Sequence, residues 1–578
     1  MKKLIVYFIA IVLMLPVLNG CEDFLDTTNY TEKDSNSFPR NEKDANLMLN
    51  GVYVMLNVSG HQAMDSWFFL AELASDDRFG AGGRNDIAAQ AISHLMYSSQ
   101  NQFKRYWEDR YRGISRATEA IDALETMDEG DLKNQKLGEA KYLRAHFYFE
   151  LVQLLGDVPL IKELPKDVTQ TKDSPPQAKA EDVLKFIASD LWEAYSMMPS
   201  IQYNDVLSGT VTKWAAAALL ARVYLFYTGF FSQTSLITEG GETLTNATVA
   251  AALQDCMDNS GHSLLPDYRS LWPYTNVLTK PDYAFAADAP DWVEGSNNPE
   301  VIFAIKHNAL GGWGSETTTG YSNSVALYFG VRDASRDSRT IFPMGGGWGI
   351  GTVNPNTWDE WPDADPRKRA SIYNITEEGT GTFVWGMDTH MEETGMWQKK
   401  VIAITAYGGT QEHGLYNNFW SAPQYGNRAN DDFQLGHGTD LILIRYADVL
   451  LMHSELTGTA EGMTEVRARV GLAPVTYSLE NLQAERRWEF AFEGLRWGDI
   501  RRWGIAADVL QNNVYGAPIY NLGTSTDMKP QGSGLKARYE ATKGFFNIPF
   551  DEIQLSNGAL VQNPGWDASA NYSSWIGN

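Results

Sequence analysis

The sequence predicts a mainly α-helical protein, in which paired helices build a scaffold and a long loop-rich stretch with short strands interrupts it. Three observations predict this. Apolar residues recur at helical spacing through most of 41–230. From 232 to 440 Gly, Pro, Asn, Asp and Trp crowd together and the apolar runs shorten. Helical patterning then returns at 441 and culminates in ERRWEFAFEGLRWGDIRRWG, Glu485 to Gly504, which holds three tryptophans, five arginines and four carboxylates.

In chain order, helices are expected near 41–57, 64–74, 100–127, 133–155, 179–198 and 211–230. Ala140, Leu143, Phe147, Leu151 and Leu154 form one apolar stripe, which ends at Gly156 and Pro159. Ala215, Ala218, Leu219, Val223 and Phe226 form another, whose alanines admit a neighbouring helix closely. Such pairs suit a stacked scaffold, although no internal repeat is legible. In the middle region VIFAIK from Val301 and VIAITAY from Val401 read as strands or extended pieces. Loops this rich in Trp are poor candidates for disorder. LILIRYADVLLM from Leu441 is apolar nearly all round and reads as a core helix, with Arg445 and Asp448 one turn apart and paired. In Glu485–Gly504, Trp488, Phe492 and Leu495 make an apolar stripe beside Glu485, Glu489 and Glu493, and Gly494 should kink or split the helix. Its charges read as Arg–Glu forks and Arg–Trp stacks that tie helices together, not as catalytic groups.

Residues 1–20 read as a secretory signal: Lys2 and Lys3 precede an apolar run from Leu4 to Leu18. Cys21 follows at once, and LNGC resembles a bacterial lipobox, in which the cysteine is acylated; Asn19 departs from the smaller residue usual there. The acidic EDFLD behind Cys21 resembles a tether that directs lipoproteins to the outer face. Cys256 is the other cysteine, so the mature chain has no intrachain disulfide or Cys-based metal site. A formal charge of −25 argues against a nucleic-acid partner, because phosphate binding is carried by clustered Lys and Arg and no such cluster stands out. With 18 tryptophans and 27 tyrosines, surplus rings must fill the core or form surfaces that stack on flat ligands such as sugars and peptides.

No HExxH, P-loop or GxSxG pattern is present, and GGGWGIG from Gly345 fails GxGxxG spacing. Asp76–Asp77 and Asp431–Asp432 are adjacent acids, not carboxylates facing one bond across a cleft. Asp363 and Asp365 match only a fragment of a calcium loop. Neither metal nor cofactor is expected.

ERRWEFAFEGLRWGDIRRWG resembles the C-terminal signature of the SusD/RagB family of outer-membrane nutrient-binding lipoproteins. RYWEDRYRGISRATEAIDAL from Arg105, EAKYLRAHFYFELVQLLGDVPLI from Glu139, LILIRYADVLLMHSEL from Leu441 and FFNIPFDEIQLSNGALVQNPGW from Phe545 agree in the family's order. The resemblance implies a tetratricopeptide-like helical scaffold. It also implies a non-enzymatic lipoprotein, anchored through Cys21 on the exterior of the outer membrane, that passes a nutrient to a SusC-like, TonB-dependent transporter. The expected ligand is a glycan; a RagB-like peptide binder and a surface glycan hydrolase are the alternatives. The expected organisation is a signal (1–20), a lipidated tether (21–40), an N-terminal helical scaffold (41–231), a loop-rich ligand-binding region (232–440) and a closing helical segment (441–578), all packed as one unit.

An aromatic platform takes the apolar face of a sugar while a few polar groups orient it. Trp313 in GGWG and Trp348 in GGGWGIG are the candidates, since flanking glycines leave each indole without bulky neighbours. Trp358 and Trp361 read as partners on one helical turn. In SDDRFGAGGRN from Ser75, Asp77 and Arg78 are candidates because family members often contribute ligand contacts from this loop.

Overall fold

The structure is a computed structural model and describes residues 38–60, 63–165, 175–310, 322–332, 341–379, 383–408, 411–415, 434, 436–573 and 575. Residues 1–37, with Cys21 and most of its tether, and also Trp313 and Asp431–Asp432, lie outside the described residues.

The scaffold is built by α1 (Glu42–Gly60), α2 (Trp67–Ala74), α3 (Ile87–Ser93), α4 (Lys104–Leu124), α5 (Asp131–Leu155), α6 (Ala180–Met197), α7 (Lys213–Phe230) and α8 (Asn246–Asn259). Their starts follow local chemistry. The Thr212 hydroxyl accepts from the Ala215 amide at the head of α7, and Thr245 caps α8 through Thr248, satisfying donors that a helix leaves open. Gly156, at φ 73°, stops α5 where the sequence indicated. Each of α4 to α8 packs on the next, the layered helical-pair arrangement expected of this chain.

The predicted stripe of α5 is buried, but so are its other faces, including Lys141, Arg144 and Glu150. Neighbours on several sides enclose this helix and leave its charges to be paired internally. Arg144 grips Asp190 of α6 through Nε (2.7 Å) and Nη2 (2.8 Å), and Arg110 of α4 donates to Glu150 at 2.8 Å.

The loop-rich half carries β1 (Val301–Ile305), α9 (Ser324–Phe329), β2 (Val331–Arg332), β3 (Gly346–Gly347), α10 (Pro355–Glu360) and α11 (Arg367–Ser371). The chain then continues through β4 (Leu441–Arg445), α12 (Tyr446–Thr457), α13 (Glu461–Arg469), α14 (Leu479–Phe490) and α15 (Arg496–Arg502). All sheets among the described residues are two-stranded. β1 and β4 pair antiparallel, Val301 opposite Arg445, and so tie the middle region to the segment that follows it. That region has an apolar cluster of its own, with Tyr268, Trp272, Tyr274, Tyr373 and Trp397 in it. Many of the surplus aromatics therefore order the loops from inside.

Two expectations need correction. LILIRYADVLLM is not one helix: Leu441–Arg445 is strand, because β-branched Ile442 and Ile444 find a partner in β1, and helix starts only at Tyr446. Arg445 and Asp448 consequently do not pair. Arg445 turns to Glu300, Glu489 and Glu493, while Asp448 takes Arg222 and Arg486. The expected break in Glu485–Gly504 is present, since Gly494 adopts φ 75° between α14 and α15, but Phe492 has already left the helix. The stripe of Trp488, Phe492 and Leu495 is thereby divided: Trp488 and Phe492 still pack in one apolar cluster, while Leu495 lies against the main core. Trp488 stacks on Trp361 with centroids 4.8 Å apart, and the buried glutamates face arginines. Trp358 and Trp361 share an apolar cluster in and just beyond α10.

Candidate functional site

The GGGWGIG stretch lies against the segment that precedes it by some twenty residues. The Trp348 amide donates to the Leu327 carbonyl (3.1 Å), Gly349 to Gly330 (2.7 Å) and Ile350 to Tyr328 (3.0 Å), while β2 and β3 pair in parallel. Gly347 shows why glycine is needed. A Cβ there would sit 2.1 Å from the Leu327 carbonyl oxygen and 2.5 Å from the Gly330 Cα, both backbone atoms that cannot move aside. These glycines thus allow two backbones to touch, a different role from clearing space around the indole.

On its other side the stretch meets the Ser75–Asn85 loop. Ala81 bridges Ile350, Arg78 bridges Val353, and the Gly82 amide donates to the Gly349 carbonyl at 3.0 Å. Two segments singled out separately in the sequence therefore meet. Trp348 is held by backbone on both sides and remains half-buried, with its ring centroid 4.4 Å from that of Tyr328 at an interplanar angle of 43°. Burial, with the Asp65 and Asp86 carboxylates adding to it, keeps the Tyr328 phenol neutral well beyond its ordinary range. Beside the pair, Arg332 Nη1 donates to the Trp348 carbonyl (3.0 Å) and to Asp86 Oδ2 (3.2 Å), and Arg84 is exposed. The Arg332 and Asp86 side chains are 31% and 25% exposed, so an aromatic surface and an oriented ion pair share one rim.

Asp77 and Arg78 do not face that rim; both are only 1% exposed. Asp77 Oδ1 accepts from Arg487 Nη2 (2.9 Å) and Thr357 Oγ1 (3.0 Å). Arg78 donates to Glu72 (2.5 Å) and to the Gly351 carbonyl (2.8 Å), and its guanidinium lies between the rings of Phe329 (4.1 Å) and Phe492 (4.7 Å). Their place is behind the site, where they fasten the Trp348 stretch to the scaffold. Asp76, the other acid of that pair, is equally committed to Arg496 and Arg487. Burial opposes its ionisation, and those two guanidiniums outweigh burial and hold the carboxyl below its usual range. Sequence reasoning missed Tyr328, Arg332, Asp86 and Arg84, which come from two distant segments, Asp86 being 246 residues from Arg332, and meet only through folding. Among the described residues, no cluster of His, Cys, Asp or Glu is placed to hold a metal, and no helix is long and apolar enough to cross a membrane.

A family model described as the SusD family matches residues 299–566, and a second, described as starch-binding and associating with the outer membrane, matches 23–225. The chain belongs to the SusD family. A SusD-like protein P2 of Formosa agariphila is 23% identical to this SusD-family chain, over 98% of it and all of that protein. A SusD-like protein of Bacteroides ovatus is 28% identical over 40% of this chain and 39% of its own length. Among solved structures, a laminarin binding SusD-like protein matches with TM-score 0.66 and 25% identity, covering 91% of this chain and all of that one. Surface glycan-binding protein A from Bacteroides thetaiotaomicron, in complex with laminarihexaose, has the same fold (TM-score 0.64, 19% identity, 90% of this chain and 99% of that one).

Proposed function

We propose that this SusD-family protein is a non-enzymatic, lipid-anchored surface binder that captures a glycan at the rim formed by Trp348, which the buried Tyr328 backs, and hands it to a SusC-like, TonB-dependent outer-membrane transporter. The observation that carries the reading is Trp348: a partly buried indole with an edge left accessible, fixed by backbone pairing on two sides, with the Arg332–Asp86 pair alongside. Sugar binding needs that combination, because the ring covers apolar C–H groups while charged hydrogen-bonding partners orient hydroxyls. Preorganisation adds affinity, since the ring loses little freedom when the ligand arrives. Laminarin is the first glycan to test, given the ligands of the similar solved structures. Nothing in the rim asks for a nucleophile, and Asp76–Asp77 are spent in buried ion pairs.

Native affinity electrophoresis through laminarin, xylan, mannan, pectin and starch, with the chain lacking residues 1–21, tests the reading. Retardation by at least one polysaccharide without release of reducing ends is expected. Release of reducing ends would make the protein a hydrolase, and retardation by none would overturn the glycan reading in favour of a peptide ligand.

A further inference from the structure

A second aromatic pair stands beyond the rim, made by two residues far apart in the chain. Trp385 and Tyr520 have ring centroids 4.9 Å apart at 72°, so their faces form a corner. Tyr520 is 38% exposed and the adjoining Val384 65% exposed, while Trp385 is half-buried. No hydrogen bond among the described residues engages the Trp385 indole N–H or the Tyr520 hydroxyl. Two polar tips are thus open to a ligand at the end of an apolar surface.

The corner is built rigidly. Glu393 and Tyr520 exchange backbone hydrogen bonds of 2.8 and 2.7 Å, and the Leu522 amide donates to the His390 carbonyl at 2.8 Å. Each ring also lies across a glycine of positive φ. A Cβ on Gly386 (φ 67°) would reach the Tyr520 ring at 2.9 Å, and one on Gly395 (φ 70°) the Trp385 ring at 2.9 Å. The Glu393 carboxylate fixes the Gly386 amide at 2.6 Å.

Gly82–Arg84 joins this corner to the first pair. Gly83 bridges His390, Gly82 accepts from the Met391 amide, and a Cβ on Gly83 would lie 2.6 Å from Arg332 Nη2, the guanidinium that holds the Trp348 carbonyl. Exposed Arg84 projects from the same turn and reaches the Asp388 carbonyl at 3.4 Å.

We infer that Trp385 and Tyr520 form a second sugar subsite, and that one oligosaccharide runs from Trp348 across Arg84 to this corner. The inference rests on the glycan reading above. It makes the protein selective for chain length: a disaccharide fills the first subsite alone, whereas a longer chain reaches both and gains affinity.

The test takes the polysaccharide from the panel that retards the parent protein and titrates its oligosaccharides, from two to seven sugars, by calorimetry. In the parent, affinity should rise with length by about tenfold or more, in line with aromatic hot spots. Trp385→Ala and, separately, the surface variant Tyr520→Ala should abolish that rise while leaving the disaccharide constant unchanged; Trp348→Ala should weaken every length. Melting curves identify a misfolded Trp385→Ala, in which case Tyr520→Ala decides. An intact length dependence in Tyr520→Ala overturns the second subsite alone. A parent retarded by none of the polysaccharides overturns the glycan reading and the subsite together.

Discussion

Glu489→Gln is the sharpest test of how the signature stretch holds the fold. Glu489 is fully buried and faces three guanidiniums: Arg445 at 2.5 Å, Arg367 at 3.0 Å and Arg469. The surrounding cluster is neutral as built. Arg367, Arg445, Arg467, Arg469 and Lys400 pair within it with Glu300, Asp365, Glu485, Glu489 and Glu493, five cations against five carboxylates. Removing one negative charge leaves one cation in excess where water cannot screen it, and breaking a buried pair from one side costs about 3–5 kcal/mol. Burial by itself would raise the Glu489 carboxyl; Arg469, Arg445 and Arg367 overcome that and hold it well below the usual carboxylate range. Its folded value is therefore depressed, so its stabilisation is complete above the unfolded value of about 4.3 and fades as pH falls through the folded one. Urea unfolding at pH 7 should show the midpoint falling at an unchanged slope. The variant should also lose less stability than the parent on acidification below pH 4. Adding Arg469→Met to Glu489→Gln restores the balance, so the double variant should be less damaged than the two single losses summed. A single-variant loss under about 1 kcal/mol, the range of exposed pairs, would refute the idea that this cluster locks the middle region to the C-terminal helices.

Other consequences are equally direct. Trp348→Ala should weaken glycan binding by about 30-fold, as losing an aromatic hot spot does, with a smaller loss of melting temperature than a fully buried Trp would give because the ring is only partly buried; parental affinity would remove it from the site. Gly347→Ala should cost about 1–3 kcal/mol and binding together, since its Cβ would collide with the Leu327 carbonyl; a melting curve matching the parent's would contradict the close approach. Lys399 is lowered to about 8, chiefly by burial and against the opposing pull of Glu378, so its folded value lies below the unfolded one. Stability should accordingly rise between pH 8 and 9.5, where the unfolded chain holds the extra proton, and Lys399→Met should reduce that rise in urea titrations, leaving the share of Lys400, which burial also lowers to about 8. Cys21→Ala should move the protein from the detergent phase to the soluble fraction on cell fractionation, and full retention in detergent would count against lipidation.

The scaffold was legible because a helix writes its buried face locally, in residues three and four apart. The stripe of α5, its stop at Gly156 and the break at Gly494 all follow from such short-range pattern. Strand β4 was misread because a short apolar run looks alike in both states, and only a partner 140 residues away decides between them. The partners of Arg445 followed from the same pairing. In the site, Trp348 was visible as an unusual residue, but the role of its glycines was not, since the clash that excludes a side chain involves backbone from another segment. Burial decided against Asp77 and Arg78: a polar loop sequence carries no mark that arginines from α14 and α15 will fold over it. Tyr328 and Arg332 are close in the chain, but Asp86 lies 246 residues from Arg332 and no local pattern joins them, and Trp385 meets Tyr520 in the same way. Local periodicity determines elements; which side chains end up on one surface depends on long-range packing, which only the tertiary structure decides.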